Sequence, residues 1–150
     1  MTIRIVIAGP RGRMGREAVA LVQQTDHFEL AAVIDRRYDG QNLAEIDRFS
    51  GVNAPIYTDA ARCFAEVKPD VLIDLTTPEA GKRHTELALR YGVRPVVGTT
   101  GFTPEDIERL TKLAEEKEIG AIIAPSGSPS WRKRKKSAPS SRRTLPSERC

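Results

Sequence analysis

An apolar, β-branched run that ends in evenly spaced glycines constrains this chain most: Ile3-Arg4-Ile5-Val6-Ile7-Ala8-Gly9-Pro10-Arg11-Gly12-Arg13-Met14-Gly15-Arg16. Its first six residues read as a buried strand, and Ala18, Leu21 and Val22 beyond it read as a helix. Strand, glycine turn and helix in that order suit a dinucleotide. The first glycine allows a tight turn, the next lets backbone approach a pyrophosphate, and the N–H groups of the helix start receive it. The spacing is G-x-x-G-x-x-G rather than G-x-G-x-x-G, so the turn alone suits an empty βα connection equally well.

A second strand raises the reading above that ambiguity. Phe28-Glu29-Leu30-Ala31-Ala32-Val33-Ile34 is apolar and ends in Asp35-Arg36-Arg37. An acid about 20 residues past the glycines, at the tip of the second strand, is where adenosine ribose hydroxyls are bound. A strand-end aspartate capping a turn is the plainer alternative. Strand, glycines, helix, strand and acid within one βαβ unit favour the nucleotide cofactor.

The alternation then continues. Asn42 to Phe49 suggests a short helix with Leu43, Ile46 and Phe49 on one face, and Ile56-Tyr57 a brief strand. Asp59 to Val67 reads as a helix with Ala60, Cys63, Phe64 and Val67 inward, and Val71 to Leu75 as a buried strand. Thr77-Pro78-Glu79 supplies an N-cap, a first-turn proline and an acid for a helix reaching about Tyr91. Val96 to Gly98 is the next strand, Thr103 opens a helix carrying Ile107, Leu110, Leu113 and Ala114, and Ala121 to Ala124 is the last strand. Strands alternating with helices predict an α/β fold, a Rossmann-like doubly wound parallel sheet with right-handed crossovers, over residues 1–125.

From Ser126 the pattern stops. Residues 126–150 hold eight Lys or Arg against one acid, Glu148, whereas residues 1–125 hold sixteen against nineteen. The basic character of the chain therefore resides in a Ser-, Pro-, Arg- and Lys-rich tail expected to be disordered, because it has too little apolar surface to offset its ordering entropy. An abrupt change of this kind is what a shifted reading frame near codon 126 would produce. Two cysteines, Cys63 and Cys150, do not make a disulfide framework, and Cys63 reads as a small core residue. With no apolar run of membrane-span length and no charged-then-apolar leader, a cytoplasmic protein without membrane contact is expected. The size suffices for one domain with its own core.

Three motifs together resemble the N-terminal half of the bacterial 4-hydroxy-tetrahydrodipicolinate reductase (dihydrodipicolinate reductase) family. They are Gly12-Arg13-Met14-Gly15-Arg16 after the first strand, Asp74-Leu75-Thr76-Thr77-Pro78 after a middle strand, and Gly98-Thr99-Thr100-Gly101-Phe102 after the following one. The resemblance covers residues 1–125. It implies that Gly9, Pro10, Arg11, Gly12, Arg13 and Met14 cradle a cofactor pyrophosphate. It also implies that Asp35 accepts from ribose hydroxyls and that Arg36 stacks on adenine or pairs with a 2′-phosphate. Gly98, Thr99 and Thr100 would lie beside the nicotinamide with Thr76 nearby, and Ala124, Pro125 and Ser126 would complete the cofactor site. Asp35 repels a phosphate that Arg36 and Arg37 attract, so both NADH and NADPH are expected as ligands.

The family reaction is hydride transfer from the reduced cofactor to an unsaturated dicarboxylate ring in lysine and diaminopimelate biosynthesis, carried out by a homotetramer. The family's substrate motif, a His-His pair, a lysine and Asp-Ala-Pro-Ser-Gly-Thr, is absent here. No catalytic residue and no metal is therefore assigned, and His27 and His84 read as surface or packing residues. A dicarboxylate would bind only with the second domain present, and this chain is expected to be a monomeric or aggregating cofactor binder with little or no turnover. Two other readings remain. One is a nucleotide-binding module whose tail, with Trp131 beside Arg132 to Lys136, contacts nucleic acid, although no specific nucleic-acid partner is expected. The other is a fragment of a different NAD(P)-dependent dehydrogenase, against which Gly98 to Phe102 argues.

Overall fold

The computed structural model describes residues 2–123. The expected tail, and the proposed site residues Ala124, Pro125 and Ser126, lie outside the described residues. Among the described residues six strands form one sheet: β1 (Ile3–Ala8), β2 (Phe28–Ile34), β3 (Ile56–Tyr57), β4 (Val71–Asp74), β5 (Arg94–Val97) and β6 (Ile122–Ile123). Their order is β3-β2-β1-β4-β5-β6 and every pairing is parallel. This is the 3-2-1-4-5-6 arrangement of dinucleotide-binding domains, with the chain reversing direction across the sheet beside β1.

Four helices connect the strands: α1 (Arg13–Gln24), α2 (Ala60–Val67), α3 (Pro78–Arg90) and α4 (Pro104–Glu116). Side-chain alternation along β1 divides the core. Ile5 and Ile7 pack with Val19 and Val22 of α1, whereas Val6 and Ala8 pack with Phe64 of α2, Leu72 of β4 and Ala88 of α3. A third cluster joins Leu89, Val97, Phe102 and Leu110 where α3 and α4 meet the β5 end of the sheet. Each large side chain as fully buried as Phe64 or Leu72 contributes roughly 1.5–3 kcal/mol relative to exposure.

Three helix starts are those the sequence predicts. Asp59, Thr77 and Thr103 cap α2, α3 and α4 through their side chains, and prolines follow the two threonines. The predicted helix from Asn42 to Phe49 is instead a single 3-10 turn, Leu43–Glu45. Asn42 and Glu45 close a capping box, but Ile46 is extended and Arg48 takes φ +78°, so helical bonding stops after one turn. Leu43 and Phe49 are buried nonetheless. Apolar residues three to four apart were satisfied here by a looped segment rather than by a helix.

Candidate functional site

In a parallel sheet all strand ends of one sense share one edge, and that is where open α/β sheets take ligands. Here the turn after β1 crosses that edge between the ends of β2 and β4: Gly9 N–H donates to the Ile34 carbonyl, and Leu75 N–H donates to that of Ala8. Two of its glycines are demanded by the fold. Gly9 has φ +82°, and a Cβ on it would lie 2.9 Å from the Leu75 carbonyl oxygen. A Cβ on Gly15, inside α1, would collide with the carbonyl of Gly9.

Gly12 is different. Its φ of −70° and ψ of 168° suit any residue, and a Cβ there would meet only the Gly9 carbonyl oxygen at 3.7 Å. Neither backbone nor packing requires a glycine at this position. As N-cap of α1 it offers no side-chain acceptor, and the first turn holds no acid. Arg16 N–H bonds to the Gly12 carbonyl, which leaves the N–H groups of Arg13, Met14 and Gly15 without intrahelical acceptors. The start of α1 is therefore an uncapped, partly positive surface.

Two cavities open along this edge. The larger, about 490 Å³, is lined by Gly9, Arg11, Gly12, Asp35, Arg36 and Thr58, and on its far wall by Thr76, Thr77, Ala80, Arg83 and His84. The smaller, about 260 Å³, is lined by Met14, Leu75, Thr76, Pro78, Gly98, Thr99 and Thr100. Leu75 and Thr76 line both.

Asp35 follows β2 and is gripped by the glycine turn. Arg11 donates from Nε to Oδ2 at 2.6 Å and from Nη2 to Oδ1 at 2.8 Å, and Arg37 N–H donates to Oδ1 at 3.2 Å. Burial pushes the Asp35 carboxyl up, but the Arg11 hydrogen bonds and the Arg37 N–H outweigh it and hold the group below its ordinary 3.8. The same hydrogen bond raises the Arg11 guanidinium against its own desolvation. Arg36 and Arg83 have no ion-pair partner among the described residues. With Arg11 and Asp35 cancelling, these two leave the larger cavity net positive.

Asp74, the last residue of β4, is fully buried. Its Oδ1 accepts from Thr76 N–H at 3.0 Å and from Thr76 Oγ1 at 2.6 Å, and its Oδ2 lies 2.6 Å from His84 Nδ1. The carboxylate thus fixes the threonine that borders both cavities. Nearby, Thr99 Oγ1 is buried without a hydrogen-bond partner among the described residues. Gly81 makes room for it, since a Cβ there would sit 3.0 Å from that oxygen. An orphaned hydroxyl beside a cavity is a group still to be satisfied.

Of the residues proposed from sequence, Gly9, Arg11, Gly12, Asp35, Arg36 and Thr76 come together around the larger cavity, and Met14, Thr76, Gly98, Thr99 and Thr100 around the smaller. Pro10 is buried beneath the turn and Arg13 is exposed at the start of α1, and neither lines these cavities. Sequence reading missed His84, Arg83 and Thr58. His84, read as a surface or packing residue, is bonded to Asp74 and lines the larger cavity. Helical spacing held the signal, because Thr77, Ala80 and His84 fall on one face of α3.

Comparison with protein families finds a match over most of the chain. The family described as "Dihydrodipicolinate reductase, N-terminus" matches residues 3–126. The chain belongs to the dihydrodipicolinate reductase family. It is 98% identical over 126 residues to the 4-hydroxy-tetrahydrodipicolinate reductase of Geobacillus kaustophilus HTA426, covering 84% of this chain and 48% of that protein. To the enzyme of the same name from Bacillus subtilis 168 it is 61% identical over 125 residues, covering 83% and 46%. Among solved structures, the dipicolinate-bound dihydrodipicolinate reductase from Paenisporosarcina sp. TG-14 superposes with a TM-score of 0.72 at 44% identity, over 83% of this chain and 47% of that one. Scyllo-inositol dehydrogenase from Lactobacillus casei, at 19% identity and a TM-score of 0.68, shares the fold alone. The chain spans about half the length of the curated relatives it matches. Among the described residues no helix is long and apolar enough to cross a membrane.

Proposed function

We propose that this chain is the cofactor-binding half of a 4-hydroxy-tetrahydrodipicolinate reductase, and that it binds NADH or NADPH across the two cavities. Gly12 carries the reading. A glycine that the fold does not need, at an uncapped helix start on a cavity wall, is explained by a ligand whose anion must approach the backbone. The Arg13, Met14 and Gly15 N–H groups would receive the pyrophosphate, with Arg36 and Arg83 adding positive charge. Asp35 would face the adenosine ribose. Thr76, Gly98, Thr99 and Thr100 would line the nicotinamide end, and the orphaned Thr99 hydroxyl would find its partner there. Ala124, Pro125 and Ser126 remain proposed contacts on the basis of the resemblance.

When bound, the cofactor supplies the hydride, and the protein orients it. Holding the dicarboxylate and delivering a proton fall to the portion of the relatives that this chain does not span. Residues 1–125 would accordingly form the cofactor-binding domain, and Ser126, the first residue of the tail 126–150, would be the one tail residue that contributes to it.

Gly12→Thr tests the reading. Threonine at an N-cap supports a helix, so stability should hold or rise, while the side chain and its hydroxyl compete for the anion space. Calorimetric titration should show both dinucleotides binding at least about tenfold more weakly, about 1.4 kcal/mol. Unchanged affinity with an intact thermal transition would overturn the assignment.

A further inference from the structure

The Arg11 guanidinium is held on two sides. It grips Asp35 through two parallel hydrogen bonds, and its centre lies 5.4 Å from the centroid of the Tyr38 ring. The Asp35 side chain is only 7% exposed, whereas that of Arg11 is 38% exposed. Any ligand reaching this end of the larger cavity therefore meets the cation before the anion. Both carboxylate oxygens already accept from Arg11, and Oδ1 accepts from Arg37 N–H as well. A vicinal diol seeking a bidentate acceptor must first dislodge the guanidinium. A phosphate in the same place meets a neutralised carboxylate, the remaining N–H groups of Arg11, and Arg36 with no acid of its own among the described residues.

We propose that Arg11 sets the choice between the two dinucleotides: by masking Asp35 it makes the site accept a 2′-phosphate, so that NADPH binds more tightly than NADH. The proposal rests on the reading of these cavities as a dinucleotide site. Specificity is a difference of two affinities, and the masked acid acts on both. It withholds the acceptor that a free diol would use, and it removes the charge that would repel a phosphate. Unmasking the acid reverses each effect. Tyr38 contributes by keeping the guanidinium over Asp35 when no ligand is present.

The readout is the ratio of NADPH to NADH affinity, measured by calorimetry on the full chain. A partly unfolded variant weakens both ligands by the same factor, so the ratio is independent of folding. Wild type should favour NADPH. Arg11→Ala should lower the ratio by about tenfold or more, equivalent to about 1.4 kcal/mol, and Asp35→Asn should move it the opposite way. Should Arg11→Ala lose both ligands, the ratio is read in Arg11→Gln, which removes the charge and keeps most of the bulk. A ratio unchanged by either Arg11 substitution, or a wild type that favours NADH, overturns the proposal and leaves the dinucleotide site standing. A wild type that binds neither ligand overturns both.

Discussion

Asp35 and Asp74 stand in nearly equivalent places, just after β2 and at the end of β4, on either side of the β1 turn, yet they are held in opposite ways. Asp35 pairs with a half-exposed arginine from the turn, at the mouth of the larger cavity. Asp74 is fully buried and bonded to a threonine and a histidine. One carboxylate is accessible by moving a single side chain. The other is part of the scaffold, and its product is the position of Thr76. Equivalent topology thus supplies one group that can meet a ligand and one that orders the groups meeting it.

The turn between the two acids gives the largest expected effect. Gly15→Ala would drive a Cβ into the Gly9 carbonyl, and backbone on both sides must move. Overpacking of this severity should cost about 3 kcal/mol or more and disturb both acids together. Cys63 offers a probe. It is fully buried, and burial pushes its thiol up to about 12, so alkylation requires opening of the fold. In a Cys150→Ser background, Gly15→Ala should alkylate much faster than its parent, and an unchanged rate would mean that the turn tolerates the methyl.

Substituting each acid then separates them directly. Asp74→Ala strands the Thr76 N–H and hydroxyl and the His84 ring, all part-buried, and should cost about 3 kcal/mol in urea unfolding. Asp35→Ala removes a pair with one half-exposed partner and should cost less than about 1 kcal/mol. Equal costs would break the comparison. A larger cost at Asp35 would mean that the turn depends on its Arg11 clamp for stability rather than for ligand choice.

Much of this arrangement was legible in the chain. The parallel sheet followed from alternating apolar runs, three helix starts from Asp59, Thr77 and Thr103, and the two glycine-rich turns from their spacing, whereas the strand order came from the fold. Asp35 was legible because it is reached through a fixed offset from the glycines. The Asp74 pair was not, since His84 arrives from the middle of α3, and contacts between a helix and a strand end depend on packing that spacing alone does not encode. The Arg11 clamp was hidden for a related reason. Sequence places Arg11 and Asp35 on neighbouring turns, but only the fold shows that the guanidinium spans both oxygens. The helix expected from Asn42 failed because the backbone is already extended at Ile46 and left-handed at Arg48, which no local residue signals as glycine would.

Acid gives the smallest and most discriminating contrast. Asp35 has a folded pKa below its ordinary 3.8, so the unfolded chain binds its proton first and stability falls as the pH falls. Its contribution is complete above the unfolded value and is lost as the pH drops through the folded one. Asp39, held down by the Thr58 N–H and Arg62, and Asp106, held at about 2 by Lys82 and Thr103, act in the same direction. All of these persist in Asp35→Asn, so the difference between wild type and that variant isolates the clamp. It should be under about 1 kcal/mol at neutral pH, fade on acidification through the carboxylate range, and shrink in molar salt. A difference constant down to strong acid would mean that Asp35 acts through its hydrogen-bonding shape, which asparagine copies only in part. The charge-masking role of Arg11 would then lose its basis, while the buried Asp74 network would be untouched.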